Sequence, residues 1–343
     1  MKKLCDFSKI YVFSPSNAPT GGVELLHQLV DYLRKRNKDA YIYYYDNPQL
    51  GVLAAYTKYE VAVAEHVDDV EGNVAVLPEI CFHLSKNYLH AQVVLWWLSV
   101  DNYYRNEKKH IPLSEIFCYS KGYALEELWH RTAGLFRFKW SFRNDFSIKF
   151  AVEKEYIHAY QSEYARLFLS ARSVKNLYPL KDYINTELIA DSISCERNPV
   201  VLYNPKKGLR FTRRLMKAAP DLTFVPLQNL SRTELQQLFV SSKLYIDFGN
   251  HPGMDRIPRE AAVNGCCVIT GRRGAAANDV DIPIGCWYKI SEKDTPVQEI
   301  VERMKDVLAD YEGHIKNFET YRQRILKEKD DFYRQIDALF GLH

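Results

Sequence analysis

Residues 244–270 read LYIDFGNHPGMDRIPREAAVNGCCVIT. The stretch opens with a β-rich run, Leu244–Phe248, and closes with another, Cys267–Thr270. Between them lie the turn formers Pro252 and Gly253 and then Ile257, Ala261 and Ala262 at helical spacing, ending at Gly265. Strand, turn, helix and strand in that order form a βαβ unit, whose crossover makes the two strands parallel.

The same alternation extends outward. Val200–Tyr203 and Leu222–Val225 read as strands. Leu209, Phe211, Leu215 and Ala219, then Leu235, Leu238 and Phe239, mark helices between them. Continuous apolar strands alternating with helices predict a parallel sheet covered on both faces. Ser231-Arg-Thr-Glu234 is a capping box, and Thr295-Pro-Val-Gln298 reads as a second with Pro296 at the first helical position. From about 297 to 340 the pattern is helical.

The N-terminal half repeats the theme. A strand at Ile10–Phe13 leads through a loop to a helix with Leu25, Leu26, Leu29, Val30 and Leu33 on one face. Further strands are expected at Ala40–Tyr44, Val61–Ala64, Val74–Leu77 and Val93–Leu98, with an insertion at about 102–150. The fold class is therefore α/β: two Rossmann-like domains facing a cleft, with a long C-terminal helical segment. The expected boundaries are 1–190, 191–320 and a C-terminal helix over 321–343.

Composition agrees with a two-domain globular chain. Of 343 residues, 47% are hydrophobic and 26% charged, which excludes collagenous and disordered classes. Forty-six basic against 43 acidic side chains leave +3, too little to argue for bulk nucleic-acid binding. Seven cysteines without a CxxC pair give no zinc or redox motif and fit a reducing cytosol. The longest apolar run, Val93–Leu98, is too short for a membrane span. The reading is cytoplasmic, with peripheral contact at the membrane's cytoplasmic face kept open. Aromatic content, at 13%, is high. Trp96, Trp97 and Tyr245 fall in strands, whereas Tyr103-Tyr104 and Phe136–Phe142 fall in the insertion. There Phe136, Phe138, Trp140 and Phe142 alternate with Arg137, Lys139 and Arg143, as in a half-buried strand or a surface for sugars, lipid or single-stranded nucleic acid.

Chemistry is expected beyond the carboxyl ends of strands, where open α/β sheets bind ligands. Gly21 and Gly22 open a helix whose free N–H groups suit an anion or a sugar hydroxyl, or else simply make a turn. Asn204-Pro-Lys-Lys207-Gly208-Leu-Arg210 follows a strand and can neutralise a diphosphate. Past His251 and Gly253, Asp255, Arg256, Arg259 and Glu260 offer carboxylates for a diol and guanidinium groups for a phosphate. The ordinary alternative is an Asp255–Arg259 ion pair across one turn.

These segments resemble the retaining GT-B glycosyltransferases of family 4 over most of residues 8–280. Gly21-Gly22-Val-Glu24 resembles that family's N-terminal Gly-Gly loop, and Lys207-Gly208 its Lys-Gly at the donor diphosphate. Gly253 through Glu260 resembles the tail of its Glu-x7-Glu signature, and Gly271-Arg-Arg-Gly274 its following glycine loop. Two positions depart: the first Glu falls at Pro252, and the family's Arg falls near Leu202, with Arg210 or Arg256 as replacements. The resemblance implies transfer of a sugar from a nucleotide-activated donor to a hydroxyl of a saccharide or lipid-linked saccharide. Lys207 would bind the phosphates and Glu260 the ribose; the nucleotide-sugar is a co-substrate, and no metal or other cofactor is expected. Asn204, Gly208, Gly253, Arg210, Arg256, Gly21 and Gly22 complete the donor set.

Asp101, after the strand Val93–Leu98, would be the general base of an inverting enzyme, an acceptor-orienting group in a retaining one, or a plain helix cap. Glu24 and His251 are the other catalytic candidates. Asp279-Val-Asp281 spells DxD, the cation-binding string of other glycosyltransferases, but lies in a loop and is set aside. A nucleotide-sugar epimerase and a non-catalytic glycan- or nucleotide-binding relative remain as alternatives.

Overall fold

A computed structural model describes residues 4, 7–17, 20–103, 146–190 and 196–342. They form two compact units, one from Met1–Gln161, Ala165–Leu180 and Ile336–His343, the other from Ser162–Tyr164 and Lys181–Gln335.

The first unit is built on β1 (Lys9–Ser14), β2 (Asp39–Tyr44), β3 (Ala62–Val63), β4 (Val74–Pro78), β5 (Gln92–Trp97), β6 (Ile157–Tyr160) and β7 (Leu177–Pro179). Their order is β3-β2-β1-β4-β5-β6-β7, and every pairing is parallel. Val74–Pro78 is buried throughout, which is why it reads as an unbroken apolar run. Helix α1 (Gly21–Lys35) follows β1 and buries Leu25, Leu26, Leu29, Val30 and Leu33, the stripe its spacing predicts.

The second unit contains β8 (Asn198–Tyr203), β9 (Thr223–Pro226), β10 (Ser242–Asp247), β11 (Cys267–Gly271) and β12 (Lys289–Ile290), in the order β12-β11-β10-β8-β9 and again all parallel. The helices in these connections are α2 (Leu209–Ala218), α3 (Arg232–Ser241) and α4 (Arg256–Val263). The helical C-terminal segment includes α5 (Val297–Ala309) and the long α6 (Glu319–Phe340). The capping box at Ser231 forms with both of its hydrogen bonds. The second expected box does not: α5 begins at Val297, Pro296 is its extended N-cap, and no side chain caps it.

Strands β6, β7 and β12 escape sequence reading because they are short, and β6 and β12 also carry the polar residues His158 and Lys289. His158 is tolerated in β6 because its Nδ1 accepts the Trp97 indole N–H at 3.0 Å. Burial lowers its pKa to about 3, keeping the ring neutral. Trp96, Trp97 and Tyr245 are fully buried core residues. Cys266 and Cys267 are buried free thiols, and burial pushes Cys266 up to about 12. Residues 104–145, with most of the expected insertion and its basic–aromatic alternation, lie outside the described residues. Among the described residues no helix is long and apolar enough to cross a membrane.

Candidate functional site

In each sheet the strand order reverses direction at one place, the position at which open α/β sheets bind ligands beyond the carboxyl ends of their strands. In the second unit that place lies between β8 and β10. The loop after β8 holds Asn204, Lys207 and Gly208; the loop after β10 holds His251, Gly253 and Asp255. Of the sequence-predicted donor groups, Asn204, Lys207, Gly208 and Gly253 thus fall on two adjacent strand ends, whereas Gly21 and Gly22 belong to the first unit.

The two loops interlock through glycines. Gly208 adopts φ +60°, and a Cβ there would stand 2.6 Å from both the carbonyl carbon and oxygen of Phe248. Across the contact, a Cβ on Gly249 would collide with Lys207 Cβ. Gly249 is a residue that sequence reading passed over, although its place just beyond a strand end was visible. Asn204 Oδ1 accepts from Lys206 N at 3.0 Å, folding the turn that presents Lys207. Arg210 is exposed in the first turn of α2.

The Lys207 ammonium pairs with Asp255 Oδ2. His251, fully buried, places Nδ1 2.9 Å from the same carboxylate oxygen and Nε2 3.6 Å from Asp247 Oδ1. Neither imidazole nitrogen has hydrogen-bond geometry to a partner. Asp247 in turn accepts from Tyr245 Oη at 2.8 Å and from Gly249 N at 2.9 Å. Burial opposes ionisation of Asp255, but His251 and Lys207 together outweigh it and hold its carboxyl below the ordinary range. Asp247, His251 and Asp255 are close enough to share one ion, but the nearby positive charge at Asp255 comes from Lys207.

The guanidinium groups of α4 face another way. Arg256 donates to Asp182 through Nε at 3.2 Å and a terminal nitrogen at 2.9 Å. Arg259, 1% exposed, donates to Asp182 at 2.7 Å and to Glu328 at 2.7 Å. The alternative Asp255–Arg259 carboxylate pair does not form; Arg259 Nε reaches only the backbone oxygen of Asp255, at 3.2 Å. Asp182 and Glu328 lie too far along the chain for any spacing rule to find them. Glu260 is buried on α4 and has interactions of its own. The DxD carboxylates are engaged elsewhere: Asp279 pairs with Lys289 at 2.8 Å, and Asp281 accepts the N–H groups of Glu163 and Tyr164 at 2.7 and 2.9 Å. The loop Gly271–Gly274 folds back, with Ala275 N donating to His251 O at 2.8 Å.

In the first unit the reversal lies between β1 and β4. Gly21 and Gly22 form the first turn of α1 behind the N-cap Thr20, and neither has positive φ. A Cβ on Gly22 would make only ordinary contact with Leu98, at 3.6 Å, so the backbone does not require glycine there. Glu24 is buried and tied down, accepting from Tyr59 Oη at 2.8 Å and from Lys58 at 3.3 Å. Asp101 lies in a helical turn whose cap is Ser99, which accepts from Asn102 N at 3.2 Å.

Glu79, at the carboxyl end of β4, was not legible as a site residue. It accepts from Leu98 N at 3.1 Å, fixing the turn that carries Asp101. Burial raises its pKa to about 8, although backbone N–H groups act against the shift. The folded protein therefore holds a proton that the unfolded chain releases above about pH 4.5, so this contribution to stability declines with rising pH and is gone above about 8. Glu79→Gln should remove that decline relative to wild type when urea midpoints are compared at pH 5, 6.5 and 8. Parallel profiles would refute the assignment. His27, lowered to about 4 by burial, acts in the opposite sense: its contribution is lost as pH falls from about 6.5 towards 4.

Two parallel α/β sheets of this topology define the GT-B architecture of glycosyltransferases. HepE from Anabaena, solved with UDP and glucose, is similar to this chain at TM-score 0.60 and 12% identity, covering 97% of this chain and 99% of HepE. Sucrose-phosphate synthase from Thermosynechococcus elongatus is similar at 0.59 and 11%, covering 96% and 99%. TarM from S. aureus, solved with fondaparinux, α-GlcNAc-glycerol and UDP, gives 0.54 and 11% over 80% of this chain; the match spans 56% of the TarM chain. At such identities the likeness establishes the fold. No protein-family model and no curated sequence matches the chain.

Proposed function

We propose that the chain is a glycosyltransferase that moves a sugar from a nucleotide-activated donor to a hydroxyl of a glycan or other saccharide acceptor, free or lipid-linked. The observation that carries this reading is the placing of Lys207 and Gly208 at the β8/β10 reversal point. The fold's occurrence in HepE, solved with UDP and glucose, supports it. Lys207, with exposed Arg210 beside it, neutralises the departing diphosphate, and Glu260 takes the ribose hydroxyls. No metal is assigned to this step. Catalysis then comes from positioning and fixed positive charge. Retention of the anomeric configuration follows from the family resemblance.

Lys207→Ala and Glu260→Ala are each expected to weaken nucleoside-diphosphate binding severely but measurably by calorimetry while leaving the circular dichroism intact. Unchanged affinity in both would refute the donor site. A thermal-shift screen over nucleotides and nucleotide sugars identifies the base, since a ligand that binds only the native state raises its stability with affinity. An isomerised sugar formed from donor alone would replace transfer by epimerisation. Selective binding without turnover on any acceptor would make the chain a binding protein.

A further inference from the structure

The second unit carries a succession of neighbouring polar groups from its core to the β8/β10 strand ends. Tyr245 Oη donates to Asp247; Asp247 faces His251 Nε2 at 3.6 Å; His251 Nδ1 faces Asp255 at 2.9 Å; and Asp255 pairs with Lys207. The inner members are sealed, with Tyr245 and His251 0% exposed, whereas Lys207 and Asp255 retain 28% and 19% of their side-chain surface. A side chain with no exposed surface does not meet a substrate. His251 therefore acts on chemistry only through its neighbours.

We infer that Asp255 and His251 are positioning residues for Lys207, holding its ammonium at the β8/β10 edge ready for a diphosphate. The inference rests on the reading of Lys207 as the diphosphate ligand. A lysine has a four-carbon stem with many rotamers, and ordering it at the moment of binding costs side-chain entropy. An anchored ammonium meets that cost during folding. Asp255 alone would be a free carboxylate beside an anionic ligand. Asp255 is instead paired with Lys207 and backed by the buried imidazole 2.9 Å away, and the interlocked Gly208 and Gly249 hold the two loops that carry the pair.

The test measures binding of UDP, GDP, ADP and inorganic pyrophosphate by calorimetry to wild type, Lys207→Ala, Asp255→Asn, Asp255→Glu, His251→Gln and the double variant Lys207→Ala/Asp255→Asn. Asp255→Asn is expected to weaken pyrophosphate and the preferred nucleotide about tenfold or more at an unchanged melting temperature. Asp255→Glu should restore part of the loss, and the double variant should bind no more weakly than Lys207→Ala. A merely structural role would lower the melting temperature and give losses that add to those of Lys207→Ala. His251→Gln is expected to lose less than Asp255→Asn; because that site is sealed, the Asp255 variants decide the matter if it fails to fold. Equal or tighter binding by Asp255→Asn would overturn the inference, making Asp255 a competitor for the ammonium. So would nucleotide binding that needs Mn2+ and vanishes on chelation, because Asp247, His251 and Asp255 would then hold an ion. If wild type binds and Lys207→Ala binds equally well, the reading of Lys207 itself fails.

Discussion

Replacing Arg259 by alanine is expected to destabilise the protein by about 3–5 kcal/mol, because it strands the buried Glu328 carboxylate and takes from buried Asp182 one of its two guanidinium partners, leaving Arg256. Asp182 and Glu328 are each almost fully buried, and both direct an oxygen at this guanidinium from 2.7 Å. Coulomb attraction alone would not justify burying three charges; the geometry does so by giving Arg259 further acceptors in the backbone oxygens of Met254 and Asp255. Arg259→Met should lose nearly as much, since it also strands Glu328. Replacing both, as Arg259→Met and Glu328→Gln, should recover much of the loss, because Asp182 keeps Arg256 as its partner. Denaturant unfolding checks this, and a loss below about 1 kcal/mol in Arg259→Ala would mean the carboxylates find other partners. The network matters to the site because Arg259 lies on α4, the helix that carries Glu260 and follows directly after Asp255.

Gly208→Ala is the second large effect. The residue has φ +60°, where a Cβ costs about 1–2 kcal/mol, and that Cβ would overlap the Phe248 carbonyl. The neighbour is backbone at the end of a central strand, so relief requires the loops to part, at a further cost of about 1–3 kcal/mol. Pyrophosphate binding should disappear along with the stability, since Lys207 precedes this residue. Gly22→Ala is the natural control: its Cβ meets Leu98 at ordinary distance, and its stability should stay near wild type. A Gly208→Ala variant with wild-type unfolding midpoint and pyrophosphate affinity would show that the loops separate freely.

The fold was legible because its central strands, β1, β4, β5, β10 and β11, are buried on both faces and so read as plain apolar runs between helical stripes. Every strand expected from Ile10–Phe13 to Cys267–Thr270 is present. What escaped were short edge and outer strands whose polar residues, His158 and Lys289, are satisfied by partners remote in sequence. Within the site, turn chemistry and strand ends located Lys207, Gly208, His251 and Gly253. The direction in which each charge points was not legible. Arg256 turns to Asp182, Glu24 to Tyr59 and Lys58, and Asp281 to the N–H groups of Glu163 and Tyr164. Each such choice depends on a partner supplied by another segment, and local pattern carries no trace of it.

Both sheets are parallel at every pairing, and this shapes how the chain acquires its structure. No strand can zip onto its neighbour through a tight hairpin; Ile10 must find Val74, and Val94 must find Ile157, before either ladder exists. The entropy of closing those long loops is lost before any contact repays it, which puts the chain among slow, topology-limited folders. Until closure, the apolar runs that make good buried strands are bare edges able to pair with another copy. Synthesis from the N-terminus eases this, since β1 to β5 can assemble while the lysine loop is still unmade.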